Sequence, residues 1–458
     1  MIDSPLAVSA TRCYLKLAEL AAQAKAEGRA QPQKRVEQVW RFPDFRYGED
    51  GPNLGIGSGI GREVSDWTKA AEELLPKVRE LVEYKELLAG LETTEGSQGV
   101  VPTAFLEGQV RDYLSLVLRS ETVSADLART AVDDFERGYR GLPVRHGARV
   151  RLAGLVMPEG EIRVDHRDLV VVLRPVEKSD VEVPVTAGQF QWLFVTDSIG
   201  ELRMSGRPFL EVQAQEQRLL AILRLYCGCN ASPISSEYTG HGISVGPMMG
   251  NFAFPGVWRK VKLRQTDRQG LQAFWDRLAD LLPQSFVNPG LPALEATSVA
   301  SERYKDSLDF GRSFERCITS AVMGLEALYF KPSGEQAELV YRLSLRVSRF
   351  LTLLGKDPAK TRETIEIAYD VRSGYVHGGK ASQKDRRKIE RLYGSLDQFQ
   401  VAMLDLLRIS IVAAILRTVE KEEFIDALDD ALMDPGKVPR LEALAAEAKK
   451  LLGTARSA

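Results

Sequence analysis

Three side chains able to work on a phosphate fall within six residues in the stretch YDVRSGYVHGG, residues 369–379. Arg372 keeps its charge at any physiological pH and can hold anionic oxygens in a planar fork. His377 supplies an imidazole, which can take or give a proton. Ser373 places a hydroxyl directly after the arginine. The chain has four histidines in all, and His146, His166 and His241 lie in strand-like or loop segments with no carboxylate or cysteine pattern beside them. Those three are expected to be ordinary surface residues.

The segment before Arg372 reads as a helix whose apolar stripe runs Ile365, Ala368, Tyr369. The next member of that stripe is Arg372 itself. A core-facing guanidinium cannot discharge, so it must meet carboxylates, carbonyls or a ligand anion. Glu326, in the upstream stretch GLEALYF, is an internal candidate; a phosphate from outside is the other. In an ideal helix, positions 372 and 377 point about 140° apart. Gly374 costs about 1 kcal/mol in a helix interior, which implies a bend or a close backbone approach. Gly378-Gly379 is a natural stop, so His377 should sit on the last turn, near Ser373, at an open end.

What must position these residues is a set of helices. Phe314, Ile318, Ala321, Val322, Leu325 and Leu328 form one stripe. Val340, Leu343, Val347, Phe350 and Leu354 form a second, and the 365–372 segment belongs to a third. Ile389, Leu392, Leu396, Phe399, Met403, Leu407 and Ile411 read as one long fourth helix. Four amphipathic helices with short connections predict a bundle. The length, 458 residues, calls for more than one core. The predicted class is α+β and multidomain. A mainly helical region spans 1–142, a β-rich mixed α/β sensor or regulatory domain 143–290, the bundle 291–418, and a helical extension 419–458. In the second region Ala148, Val150 and Leu152 alternate with Arg149 and Arg151, and Ile162 and Val164 with Arg163 and Asp165. With LVVVLRP at 169–175 these predict antiparallel strands. PFLEVQAQ at 208–215 reads as a further strand, followed by a helix over 216–226, and NPGLPAL at 288–294 reads as a linker.

Arg372-Ser-Gly-Tyr-Val-His377 resembles the Arg-x4-6-His motif of HEPN domains, with a polar residue after the arginine. The fuller YDVRSGYVHGG, with the upstream GLEAL helix, is similar to the Apea-like branch of that superfamily, over about residues 300–418. The resemblance implies a metal-independent endoribonuclease, with no cofactor, acting where two HEPN domains pair as a homodimer. Arg372, His377 and Ser373 would be catalytic, supported by Glu326, Tyr369 and Tyr375, and the products would be a 2′,3′-cyclic phosphate and a 5′-hydroxyl. It further implies a regulated toxin of prokaryotic antiphage (abortive-infection) defence, its first 290 residues recognising a phage or host trigger. A non-catalytic HEPN module that binds RNA or nucleotide, or serves as a dimerising scaffold, is the alternative.

Cations follow the motif: Lys380, Lys384, Arg386, Arg387 and Lys388 could contact flanking phosphates, as could Arg346, which shares a side of the second helix with Arg342 and Arg349. A solvated face with salt bridges to Glu363, Glu366 or Glu390 is the other reading of both groups. Tyr375 would stack on a base or fill the core, the core being preferred. Net charge is −2, so RNA contact must come from a local patch rather than a global field. Four scattered cysteines (Cys13, Cys227, Cys229, Cys317) show no disulfide spacing, which with the lack of a signal pattern points to a cytoplasmic compartment. Cys227-Gly-Cys229 is expected to be two half-buried thiols; an enzyme built on it and His241 with zinc would need further ligands. NLGIGSGIGREV, with Gly55, Gly57, Gly59 and Gly61, lacks the spacing of either phosphate-loop pattern and reads as a flexible loop. LLRISIVAAILR is interrupted by Arg408 and Arg417, so no membrane span is expected.

Overall fold

The computed structural model describes residues 4–454 except 54–57, 95–100, 121–124, 141, 143, 182–195, 207–209, 241–242, 250–259, 289–291, 293, 309–312 and 332–337. The chain is mixed α+β: an N-terminal helical part, a β-rich part and a long run of C-terminal helices. His241, two of the four glycines of the candidate phosphate loop and most of the predicted 288–294 linker lie outside the described residues.

The N-terminal part starts with α1 (Pro5–Ala26), followed by β1 (Gln33–Arg41), β2 (Arg46–Gly48), β3 (Gly51–Asn53) and β4 (Ser58–Asp66). Next come α2 (Thr68–Glu80), α3 (Val82–Thr93), α4 (Pro102–Arg119) and α5 (Ala125–Tyr139). Leu17, Leu87, Leu114 and Phe135 sit in a closed core made by the five helices. The strands were not predicted. Gly59 and Gly61 belong to β4, which pairs antiparallel with β1 from Gln33↔Asp66 to Arg41↔Ser58; the glycine-rich run is therefore ribbon at these positions, not loop. Glycine is a poor strand former, and cross-strand pairing overrides that preference here.

The β-rich part contains β5 (Val144–Ala153), β6 (Leu155–Val156), β7 (Ile162–His166), β8 (Leu169–Pro175), α6 (Lys178–Val181), β9 (Ser198–Gly206) and α7 (Leu210–Cys227). It continues with β10 (Ser232–Gly240), β11 (Ile243–Met249), β12 (Val261–Lys262), α8 (Arg268–Leu278) and α9 (Gln284–Val287). Six strands form one antiparallel sheet in the order β11-β10-β5-β9-β8-β7. Val150, Leu152, Ile162, Val164, Val171 and Leu173 share a core with Leu219, Ile222 and Leu223 of α7, as the period-two pattern requires. Residues 210–215 of the expected strand are helical. They open α7; the alternation of Leu210, Val212 and Ala214 is strand-like over so short a window, while the helix is set by the longer apolar run over 219–226. Arg151 also departs from the alternation: it is 1% exposed and reaches Glu237 at 2.5 Å.

The C-terminal helices are α10 (Ala296–Ser307), α11 (Phe314–Tyr329), α12 (Leu339–Leu353), α13 (Pro358–Val376), α14 (Gln383–Tyr393), α15 (Leu396–Leu416), α16 (Lys421–Met433) and α17 (Val438–Thr454). α11 packs on α10, α13 and α15, and α12 packs on α13. The single long fourth helix expected from the apolar repeat is two helices. Gly394 takes φ +78° at the end of α14 and Ser395 caps α15 by accepting from Gln398 N–H at 3.2 Å. The repeat reads through the break because Leu392 and Leu396 remain four residues apart. α15 is long and apolar enough to cross a membrane by composition, yet most of it is buried within the protein. One apolar core runs from the sheet and α7 through α8 into these helices and on to α17.

Candidate active site

α13 begins with Asp357, whose side chain accepts from Lys360 N–H at 2.6 Å, and with Pro358 in the first turn. It ends in a complete glycine cap. Gly378 N–H donates to Tyr375 O at 2.9 Å and Gly379 N–H donates to Gly374 O at 2.9 Å, with Gly378 at φ +81°. This six-to-one and five-to-two pair defines a Schellman stop. The chain folds back past Gly374, where a Cβ would lie 3.5 Å from Lys380 O, an ordinary contact. α13 stays helical through Gly374 to Val376, so there is no bend, and the contact at 374 has room for a Cβ, so neither expected reason for the glycine is required here. Gly378→Ala is expected to cost about 1 kcal/mol, because only glycine takes this φ without strain. A lowered urea midpoint at unchanged slope would register it.

Arg372 projects from the last turns of α13 toward α11. Its Nη2 donates to Glu326 Oε2 at 3.2 Å, and its guanidinium stacks 5.0 Å from the Tyr369 ring centroid. Tyr369 in turn hydrogen-bonds Glu326. Nε of Arg372 is buried without a partner. Burial pushes the Glu326 carboxyl up from its ordinary range, against the pull of Arg372 and the Tyr369 hydroxyl; burial also raises the Tyr369 phenol, with Glu326 adding to it. Desolvation thus outweighs attraction at Glu326, and a single contact of 3.2 Å joins it to Arg372. A phosphate brings more charge than a carboxylate and can compete for the same fork.

His377 is the C-cap residue, its N–H donating to Ser373 O at 3.3 Å. Its imidazole is exposed and has no partner among the described residues. Ser373 is exposed too. Since the helix is regular, Arg372 and His377 diverge by about 140° around its axis. One chain does not aim them at a single atom. Tyr375 was expected in the core, but it is 36% exposed and Val376 is 62% exposed, so an apolar surface flanks the imidazole.

The flanking cations separate into two sets. Lys380, Lys384 and Arg387 are exposed and Lys388 is half-buried, all on the segment leaving the helix end. Arg386 is committed elsewhere: its Nη2 donates to Glu315 Oε1 at 3.1 Å, and Glu315 is 5% exposed. Arg346 is not available to RNA. It is 3% exposed, forks onto Asp429 at 2.8 and 2.7 Å and donates to Tyr329 O at 2.9 Å. Arg349 reaches Ala431 O at 3.3 Å. Glu363 and Glu366, expected as partners for these groups, pair instead with Arg391 at 3.5 Å and Arg362 at 2.8 Å.

Elsewhere, Cys227 and Cys229 are fully rather than half buried, at 3% and 0%. No cluster able to hold a metal occurs among the described residues. His166 is not an ordinary surface histidine: its ring lies between Asp276 at 3.5 Å and Asp280 at 3.4 Å. The four-residue spacing of Asp276, on α8, and Asp280, in the turn just after it, was the available signal. No protein family, curated protein or solved structure matches the chain.

Proposed function

We propose that the chain is a metal-independent endoribonuclease of the HEPN type, with its C-terminal helices as the catalytic bundle, working as a homodimer across the ends of α13. The observation that carries this reading is the pairing of an exposed imidazole at His377, without a partner among the described residues, with a guanidinium at Arg372 that meets Glu326 through one contact of 3.2 Å. His377 would take the proton from a ribose 2′-hydroxyl as its oxygen attacks phosphorus. The P–O5′ bond would break, and a proton delivered to the 5′ oxygen would leave a cyclic phosphate and a 5′-hydroxyl. Arg372 would hold the non-bridging oxygens as their charge grows, and Ser373 would orient phosphate or imidazole. The divergence of the two side chains within one helix favours a site shared by two chains, one giving its arginine and the other its histidine. Exposed Tyr375 and Val376 support a contact at that end. Lys380, Lys384, Arg387 and Lys388 would track the flanking backbone.

An unrestrained ribonuclease would destroy its host's RNA, so residues 1–290 are proposed to recognise a phage or host trigger, in a cytoplasmic defence role. The test is to incubate the purified protein with RNA in EDTA and analyse the ends. Cleavage with cyclic-phosphate and 5′-hydroxyl termini is expected. Cleavage that stops in EDTA would overturn the metal-independent reading. A second reading, a non-catalytic RNA- or nucleotide-binding dimerisation scaffold, is favoured by one observation, that Glu326 already occupies part of the Arg372 fork. It predicts RNA binding with no scission.

A further inference from the structure

A cavity of about 120 Å3 opens between α7, α9 and α10, and none of its lining residues belongs to the 369–388 segment. Its walls carry Arg224 from α7, Lys305 from α10 and Ser285 from α9. Arg224 uses Nε to donate to Ala231 O at 2.9 Å, and neither it nor Lys305 forms an ion pair among the described residues. Arg224 is half-buried and Lys305 is exposed at the rim, whereas the deeply buried arginines each meet a carboxylate. Arg151 has Glu237 at 2.5 Å, Arg346 has Asp429 at 2.7 Å and Arg408 has Asp405 at 2.6 Å. Ser285 adds a buried hydroxyl with no hydrogen-bond partner. Burial lowers the Arg224 guanidinium; burial and then the Arg224 charge lower the Lys305 ammonium, against the pull of Asp306 and Glu302. A half-buried guanidinium without an ion pair among the described residues, a lysine at the rim and an orphan hydroxyl give the cavity a wall of hydrogen-bond donors.

We propose that this cavity binds the phosphate group of a small anionic ligand, held by Arg224, Lys305 and the Ser285 hydroxyl. The donors come from three helices and so from three directions, which suits a tetrahedral oxyanion better than a planar carboxylate. The size fits one such group with little more enclosed, since a cavity of about 150 Å3 holds a benzene ring. Phe286 lines the same cavity and offers an apolar face for the body of the ligand. Glu302 is the one carboxylate in the lining, and it is exposed. The site lies where the β-rich part meets the C-terminal helices: Tyr304 Oη donates to Arg224 O at 3.1 Å, and α10 packs directly on α11, which carries Glu326. The inference does not depend on RNA cleavage.

The test is calorimetric titration of the full chain with inorganic phosphate at fixed ionic strength, with acetate as the planar control. Saturable binding with Kd of about 1 mM or tighter is expected. Lys305→Gln and Ser285→Ala should each weaken it about tenfold, the loss of one hydrogen bond to a charged group, with unchanged circular dichroism. Arg224→Gln should weaken it more but puts the Ala231 contact at risk, so Lys305→Gln and Ser285→Ala are the deciding variants. Absence of saturation by about 10 mM phosphate, equal affinity in both variants and wild type, or preference for acetate would each overturn the proposal. So would loss of binding in Arg372→Ala with retention in Lys305→Gln, which would place the phosphate at the end of α13.

Discussion

Replacing His377 with alanine is expected to lower RNA cleavage in EDTA by about two to four orders of magnitude, the range for a general acid–base group. Replacing Arg372 with alanine should cost about two to three orders, as for loss of one donor to a developing oxyanion. The His377 side chain is exposed and has no partner among the described residues, and its capping contact uses the backbone N–H, so the urea midpoint of His377→Ala should match wild type. Arg372→Ala leaves Glu326 half-buried without its cation, so it should lose some stability; Arg372→Lys keeps the charge but not the planar fork and should stay strongly impaired. If the site is shared, mixing the two inactive variants should restore part of the activity through heterodimers that carry one intact arginine–histidine pair. Both variants cleaving like wild type would remove these residues from the chemistry. Failure of the mixture to recover, with each variant inactive alone, would mean that both residues act within one chain.

How far this site could be read from the amino-acid order differs residue by residue. The cap at Gly378-Gly379 was legible because only a helix end has use for consecutive glycines there. The tie between Arg372 and Glu326 was legible as one of two alternatives, since a charged residue on an apolar stripe must be answered by something. The fate of Arg346 was not. Its spacing from Arg342 and Arg349 describes a helix face, whereas its burial is set by Asp429, 83 residues away in sequence. Likewise Arg386 faces Glu315 across 71 residues. Local periodicity reports which residues share a face and is silent on what that face meets.

The same limit explains the fold. Strands at 144–153, 162–166 and 169–175 showed themselves because one sheet face is buried and the alternation is clean. The β1–β4 ribbon did not, because Val36, Val39 and Trp40 fall at helical spacing and the partner strand is rich in glycine. The division between α14 and α15 was written in the Gly394-Ser395 pair, and an unbroken apolar repeat masked it.

Arg408 looked like a mere interruption in an apolar run, and it is expected to be among the most costly side chains to remove. It is 2% exposed. It holds Asp405 Oδ1 at 2.6 and 3.0 Å and donates to Leu225 O at 2.7 Å, in the last turn of α7. There it also meets the negative end of the helix dipole. Removing it opens a cavity, strands that carbonyl and leaves Asp405 to Lys356 alone, 2.6 Å away. Arg408→Ala should cost about 3–5 kcal/mol, the range for breaking a buried pair. Asp405→Ala should cost about as much, since it leaves a buried guanidinium uncompensated. Arg408→Met with Asp405→Leu should recover much of the loss, because the penalty lies in the orphaned charge. Acid tests the same arrangement. Burial alone would raise the Asp405 carboxyl, but Arg408 and Lys356 hold it below its ordinary value. A depressed carboxylate gives stability that is complete above the unfolded pKa of about 4 and is lost as pH falls through the lower folded value. The wild type should therefore lose stability more steeply below about pH 4 than the Met/Leu variant. Parallel acid profiles of the two, measured by urea midpoints, would show that this pair does not hold α15 to α7.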